Sequence, residues 1–300
     1  MPDPAHDGDG RRPPAHGLMP PDRDTRATTA PAPLPPSARL RRAVLRWWRS
    51  RYGSELAKEV VAIVALLLLY RLGRMLGRNE SARAFEHAHD VLALEDRVGL
   101  DTELSVQRAM LGNLDVVRLL NRYYASVHFA ASMVFLVFVY VRAPKLVAHI
   151  RFLFVSVTAA GLITHLVYPL APPRMLAGYV DTVARYGPAI YDHRSAVGQV
   201  ANQYAAMPSL HFGWAVLVAY GVVRALDTRW RWLIVLHPVI TLAAIVITAN
   251  HYWLDALVAL VLIGAALALD GERTRRAATV AVAPGDDTAA ACTVGLDAPT

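Results

Sequence analysis

Two apolar runs meet at a short polar junction in the stretch VITLAAIVITANHYWLDALVALVLIGAALAL, residues 239–269. Spanning the hydrocarbon core of a bilayer takes about 20 predominantly apolar residues in a helix, and each run approaches that length. The only histidine and the only acidic residue of the stretch, His251 and Asp255, lie at the junction. The stretch therefore predicts two membrane-spanning helices whose connection carries a histidine and an aspartate.

Similar apolar runs recur along most of the chain. Hydrophobic residues make up 55% of the 300 positions and charged residues 18%, which is typical of a membrane protein. Apolar windows predict an all-α, polytopic bundle of six transmembrane helices, at residues 56–76, 121–141, 146–170, 209–226, 230–249 and 252–269. Between the first two spans, apolar residues at helical spacing predict interfacial helices that shelter the site from the side; they include Val91, Leu92, Leu94, Val98 and Leu104.

The two ends of the chain differ in composition from this membrane domain. Residues 1–40 are rich in Pro and Arg, and residues 271–300 in Ala, Thr, Asp and Gly. Both segments are expected to be disordered cytoplasmic tails flanking a membrane-embedded domain at residues 41–270. The first 40 residues contain no apolar core of a signal peptide, so we expect no cleavable signal. Cys292 is the single cysteine, which excludes a disulfide within the chain.

Basic residues are concentrated in the predicted loops on one side of the membrane. The net charge is +7, but this placement favours membrane orientation over nucleic-acid binding, and the positive-inside rule makes that side cytoplasmic. We therefore expect a multi-pass plasma-membrane protein with both termini in the cytoplasm. The residues concerned are Arg39, Arg41, Arg42, Arg46, Arg49, Arg51, Arg142, Lys145, Arg224, Arg229, Arg231, Arg273, Arg275 and Arg276.

Three polar clusters are predicted to share the opposite, extracytoplasmic face. With six spans, that face receives LAPPRML around Arg174, PSLH at residues 208–211, and the junction with His251 and Asp255. The residue types suit phosphoryl transfer. An aspartate four residues after a histidine can fix the ring's tautomer and leave the other nitrogen as nucleophile or base.

The remaining polar residues could complete such a site. A second histidine, His211, could protonate a leaving oxygen. Ser209 and the free N–H groups of a helix start form an anion site, and Arg174 adds a cation suited to phosphate. We expect no metal and no organic cofactor, because these groups supply the charge stabilisation.

Each residue also has a structural interpretation. Pro208 and Ser209 are ordinary at a helix start, His211 could be a hydrogen-bonded histidine of the bundle, and Asp255 an interfacial acid. Two histidines and an aspartate could instead bind zinc, although that would leave Ser209 and Arg174 unexplained.

The set APPRM, MPSLH and HYWLD resembles the three-part signature of the type 2 phosphatidic acid phosphatase superfamily. More closely, it looks like the branch that includes inositol-phosphorylceramide synthases, and the resemblance covers about residues 80–265. It implies that His251 forms a phosphohistidine, that Asp255 orients it and that His211 is the general acid. It also implies that Ser209 and Arg174 hold the phosphate oxygens.

The chain departs from the wider pattern at two positions. Val167 and Ile245 stand where the superfamily has a lysine and an arginine, so two phosphate clamps are missing and the synthase-like branch is favoured. Candidate replacements are Arg185, Arg194, Asn250 and Tyr252. The stretch NRYYASVHF, residues 121–129, also resembles that branch and puts Asn121, Tyr124 and His128 on one helical face. Tyr168, Asn250 and Tyr252 complete the possible substrate pocket.

The resemblance therefore implies an integral membrane lipid phosphotransferase or phosphatase, inositolphosphotransferase-like, with a lipid phosphate in the bilayer as substrate and an alcohol or inositol-containing acceptor. A plain phosphatidate or polyprenyl phosphate phosphatase is the alternative. A non-catalytic lipid-binding membrane protein that keeps the fold is a third.

Overall fold

Apolar runs form helices wherever the structure describes them. The computed structural model describes residues 80–187 and 202–282, together with residues 60–69 and a few positions close to them. The helices are α1 (Val60–Leu69), α2 (Ser81–Val98), α3 (Glu103–Met110), α4 (Leu114–Arg122), α5 (His128–Arg142), α6 (Val147–Val167), α7 (Thr182–Tyr186), α8 (Leu210–Ala225), α9 (Leu236–Ile247) and α10 (Trp253–Val282). No β-strand occurs among the described residues, so the all-α prediction is confirmed there.

Among the residues that the structure describes, four helical segments are long and apolar enough to cross a bilayer. They are Leu114–Arg142, Pro144–Val167, Arg229–Ile247 and Trp253–Arg276, and two shorter apolar helices are Val60–Leu69 and Leu210–Ala225. A membrane protein is therefore supported, whereas the count of six spans stays a prediction. The first of these segments begins before the predicted residue 121, because α4 continues through a π-helical turn, Tyr123–Val127, into α5.

The predicted interfacial segment between the first two spans is helical. Gly99 ends α2 in the left-handed conformation, with φ of 72°, which a glycine adopts without steric strain. The buried side of α2 carries Ala84, Ala88 and Val91. These residues pack with Leu170 of the loop after α6, so α2 lies beside that loop.

The core of the bundle lies between α5, α6, α8 and α10. Ile150, Leu153 and Val157 of α6 are buried there. Glycine permits two close approaches: a Cβ on Gly221 would overlap the ring of Phe135, and one on Gly161 would lie 2.6 Å from Leu210 Cδ2. The second contact packs the middle of α6 against the first residue of α8.

Polar residues fasten the other end of the bundle. His149 Nδ1 lies 2.6 Å from Asp270 Oδ2, and His149 Nε2 lies 2.9 Å from the Tyr220 hydroxyl. Arg273 pairs with the other Asp270 oxygen at 2.8 Å. Helix α10 does not end at this cluster: it continues beyond the domain boundary predicted at residue 270, through Val282. The predicted tail at residues 1–40 lies outside the described residues.

Candidate active site

Main-chain hydrogen bonds hold the three polar segments together. The N–H of Arg174 donates to Ala249 O at 2.8 Å, which joins the first segment to the third. The N–H of Ser209 donates to the main-chain oxygen of Asp255 at 3.1 Å, which joins the second to the third. The structure thus brings together segments that lie far apart in the chain, as the sequence predicts.

Ser209 begins α8 as its N-cap. Its Oγ accepts a hydrogen bond from the N–H of Phe212 at 3.3 Å, and its side chain is fully buried. This is the helix-start geometry that the Pro-Ser pair predicts. The hydroxyl proton remains available as a donor, because the bond to Phe212 uses only a lone pair.

A tight connection sets the position of His251. Ala249 has φ of 52°, in the left-handed region that non-glycine residues seldom adopt. The N–H groups of Asn250 and His251 then both donate to Ile245 O, at 2.9 and 3.2 Å. The chain therefore reverses direction between α9 and α10 within a few residues.

The hydrogen bonds of His251 determine its tautomer. Nδ1 lies 2.8 Å from Ala206 O and 3.1 Å from Asp255 Oδ2. A carbonyl oxygen can only accept, so Nδ1 carries the proton and the lone pair is on Nε2. The predicted pairing with Asp255 is present, and the Ala206 carbonyl is a second acceptor that the sequence did not reveal.

Asp255, like His251, is buried and fixed by hydrogen bonds. Its side chain is fully buried, and Oδ2 also accepts the N–H of Tyr252 at 2.9 Å. Its other oxygen, Oδ1, accepts no hydrogen bond from the described residues. The carboxylate therefore both orients His251 and caps the start of α10.

His211 lies among aromatic rings at the start of α8. Its ring centre is 4.2 Å from that of Tyr124, 4.5 Å from that of His128 and 6.2 Å from that of His251. Among the described residues, no hydrogen-bond partner occupies either ring nitrogen of His211. His128 is also buried, and its Nδ1 has no described partner. Two predicted pocket residues thus contact the second histidine.

Arg174 lies against the residue that precedes His251. Its Nη1 donates to Asn250 Oδ1 at 2.8 Å, and its Nε lies 3.5 Å from Asp181 Oδ2. Nη2 has no described hydrogen-bond partner and is available to an anion. Asn250 therefore orients the arginine.

Other predicted pocket residues have packing roles in this structure. Asn121 is buried and donates to Thr182 O at 2.7 Å. Tyr252 is buried, with its hydroxyl 2.8 Å from Ala171 O, and the Tyr168 ring stacks on His87 at 3.9 Å. Of the candidate clamp replacements, Arg185 lies over the Tyr186 ring and Arg194 lies outside the described residues.

Sequence reasoning overlooked two glutamates that reach the start of α10. Glu95 Oε1 accepts the N–H of Leu254 at 2.8 Å, and Glu103 Oε1 accepts the N–H of Trp253 at 3.1 Å. A signal for the first was available: Glu95 continues the helical spacing of the buried α2 residues, at positions 84, 88, 91 and 95.

The family model described as the PAP2 superfamily matches residues 89–269. The match takes in all three polar segments and more than half of the chain. No curated protein and no solved structure shows a significant match.

Proposed function

The chain belongs to the PAP2 superfamily, and on that premise we propose that it is a membrane enzyme that cleaves a lipid phosphoester and passes the phosphoryl group through His251. Members of the superfamily are phosphoesterases that act on lipid phosphates. The four apolar helices in the described part of the chain that are long enough to cross a bilayer agree with a lipid substrate.

The observation that carries this proposal is the tautomer of His251. Because Nδ1–H donates to Ala206 O and Asp255 Oδ2, Nε2 keeps a lone pair that can attack phosphorus. Attack forms a P–N bond and puts positive charge on the ring, which the buried Asp255 carboxylate stabilises. The same geometry would be unnecessary in a protein that only binds lipid.

His211 is assigned the proton transfers. In the first step it donates a proton to the ester oxygen as the P–O bond breaks, which releases the alcohol and leaves a phosphohistidine on His251. In the second step it removes a proton from water or from an acceptor alcohol, whose oxygen attacks phosphorus. The P–N bond breaks, and both histidines return to their starting states.

Phosphate binding is assigned to Ser209, Arg174 and the start of α8. The hydroxyl proton of Ser209, the Nη2 of Arg174 and the N-terminal N–H groups of a helix all favour an anion. They supply the charge stabilisation without a metal or an organic cofactor.

Tyr124 and His128 are assigned to the wall of the substrate pocket, because their rings contact His211. They would restrict the positions open to the leaving alcohol. Asn121 and Tyr252 are instead assigned to packing, because each is buried and hydrogen-bonded to the main chain of another segment.

Transfer to an inositol-like or other alcohol acceptor is the finer proposal. It is supported by the missing clamps, since Val167 is exposed at the end of α6 and Ile245 is fully buried in α9, and neither can contribute a cation. Hydrolysis of phosphatidate or a polyprenyl phosphate is the second candidate, because it shares the first covalent step.

We also propose that the site faces the extracytoplasmic side of the plasma membrane. The candidate site lies at the starts of α8 and α10, and Arg224, Arg229 and Arg231 cluster around the far end of α8. In a Cys292→Ser background, a cysteine at exposed Ala184 should react with an impermeant thiol reagent in intact cells, and one at exposed Asp227 only after lysis. The reverse pattern would refute this orientation.

The test of function is direct detection of the intermediate. Purified protein is incubated with ³²P-labelled phosphatidate, polyprenyl phosphate or phosphatidylinositol, with and without alcohol acceptors, and quenched in alkali. Label is expected on His251, absent in His251→Ala and retained in the control His89→Ala, whose histidine is exposed on α2. Hydrolysis gives free phosphate from a phosphomonoester and a phosphomonoester from phosphatidylinositol, whereas a new phospholipid indicates transfer. Label on another residue, or none with every lipid, would refute the proposal.

A further inference from the structure

Two buried glutamates approach the N-terminus of α10 from the interfacial helices. Glu95 lies in the last turn of α2 and Glu103 in the first turn of α3, and both side chains are fully buried. Their Oε1 atoms accept the N–H groups of Leu254 and Trp253. Helix α10 therefore has its first N–H groups satisfied by carboxylates from outside its own sequence.

The two remaining oxygens are unusual. Oε2 of Glu95 and Oε2 of Glu103 are buried, and no described residue donates a hydrogen bond to either. Two ionised carboxylates in such a place repel each other, whereas one proton between them replaces the repulsion with a hydrogen bond. Burial raises the pKa of Glu95 to about 9, and the neighbouring Glu103 carboxyl group adds to the rise.

We propose that Glu95 and Glu103 are a proton-sharing pair that positions the start of α10, and with it Asp255 and His251, for the reaction. They are positioning residues, because neither is hydrogen-bonded to His251. Leu254, the partner of Glu95, immediately precedes Asp255, so a shift of the capped turn moves the carboxylate that orients the nucleophile. This inference rests on the proposed function only for its catalytic readout.

The surroundings of the pair determine its response to pH. Burial raises the pKa of Tyr179 to about 12 and raises the pKa of Tyr252 above its usual range, so both phenols stay neutral near pH 9. Loss of the shared proton therefore adds one negative charge at the start of α10, with no change in the charge of either phenol. The other titratable groups that act on the pair or on these phenols are Asp101, Arg108 and Asp255, and Asp255 in turn is hydrogen-bonded to His251.

The free energy of unfolding and the activity should depend on pH over different ranges. The folded protein holds it up to about pH 9, whereas the ordinary pKa of the group is 4.5. The stabilisation is therefore complete below pH 4.5, declines as the pH rises and is lost above about 9. Activity depends on the folded pair alone, so its loss should begin only as the pH approaches 9.

The experiment compares two substitutions of Glu95 with a control. Glu95→Gln keeps the acceptor for Leu254 and imitates the protonated carboxyl group, whereas Glu95→Leu keeps the approximate volume and removes the acceptor. Glu86→Gln is the control, because Glu86 is exposed on the same helix. The readouts are the infrared C=O band of a protonated carboxyl group, amide hydrogen exchange at Trp253 and Leu254, and kcat and KM against pH.

The protonated-carboxyl band should be present at pH 7, disappear above pH 9, and be absent in Glu95→Gln. Glu95→Leu should speed exchange at Leu254 and lower kcat by ~10-fold or more with little change in KM, because a small displacement of a catalytic group has a large effect on rate. Glu95→Gln should keep kcat at pH 7 and lose the alkaline decline.

An unchanged band in Glu95→Gln, or unchanged exchange in Glu95→Leu, would overturn the paired-proton cap. Both measurements are independent of turnover, so they decide it even if no lipid proves to be a substrate. Altered exchange with unchanged kcat in Glu95→Leu would overturn the positioning role.

Discussion

Asp255→Asn removes the negative charge beside His251 but keeps a side chain of nearly the same size at that position. The ring keeps its second acceptor, because Nδ1–H still donates to Ala206 O at 2.8 Å. The tautomer with Nε2 free should therefore survive. Where a carboxylate alone holds the tautomer, the same change lowers kcat by about 10⁴, so we expect a much smaller loss here.

The expected magnitude comes from the change in one hydrogen bond. A bond to a charged group contributes about 1.5–3 kcal/mol and a neutral one about 0.5–1.5 kcal/mol. The difference of roughly 1–1.5 kcal/mol corresponds to about a 10-fold loss in kcat. The new amide NH2 would lie where Asp255 Oδ1 has no described partner, which should lower the free energy of unfolding by about 1–3 kcal/mol.

The assay measures kcat, KM and thermal unfolding in detergent. Asp270→Asn is the control, because Asp270 is a buried aspartate paired with a histidine at the other end of the bundle. It should lower stability and leave kcat unchanged. A loss near 10⁴ in Asp255→Asn would show that Ala206 O does not hold the tautomer, and no loss would show that the charge plays no part.

Three further substitutions or treatments test the site. His211→Ala should lose ~100-fold or more on an alkyl phosphoester yet still form phosphohistidine from a nitrophenyl phosphate, which needs no leaving-group proton; equal losses on both would exclude His211 as the acid. Gly161→Ala should lower the free energy of unfolding by about 1–3 kcal/mol and lower kcat, because the added Cβ would lie 2.6 Å from Leu210 Cδ2 and 3.4 Å from Pro208 Cγ. Gly264→Ala is the control, since its Cβ would have no atom within 4 Å, and it should change neither quantity. A drop in Tm or kcat shared by both variants would contradict this. EDTA should not affect activity, and activity that is lost to EDTA and restored by zinc would support a metal site instead.

Local patterns predicted those parts of the site that depend on residues near in sequence. The spacing of four between His251 and Asp255 puts them on one side of a helix start, and Pro208 with Ser209 predicts the start of α8. Helix positions were predictable for the same reason, because long apolar runs leave few other structures possible in a bilayer.

Contacts between distant segments were not predictable in this way. The Ala206 carbonyl carries no sequence signal, since every residue has a main-chain oxygen. Asn121 does share a helical face with Tyr124 and His128, but Thr182 occupies its polar groups. A helical pattern shows which side chains share a face of the helix, but it does not show which residues of other segments contact that face.

The length of α8 bears on how the proposed lipid substrate would reach Ser209 and His211. Its 16 residues extend about 24 Å at 1.5 Å per residue, whereas the hydrocarbon core is about 30 Å thick. On the prediction that α8 spans the membrane, a helix that short leaves its first turn several ångströms beneath the headgroup plane, or thins the bilayer around it. A phosphate tethered to acyl chains is already near that depth, whereas a soluble phosphoester must leave bulk water to reach it. Hydrophobic mismatch at α8 would thus select for membrane-anchored substrates, and turnover would depend on bilayer thickness.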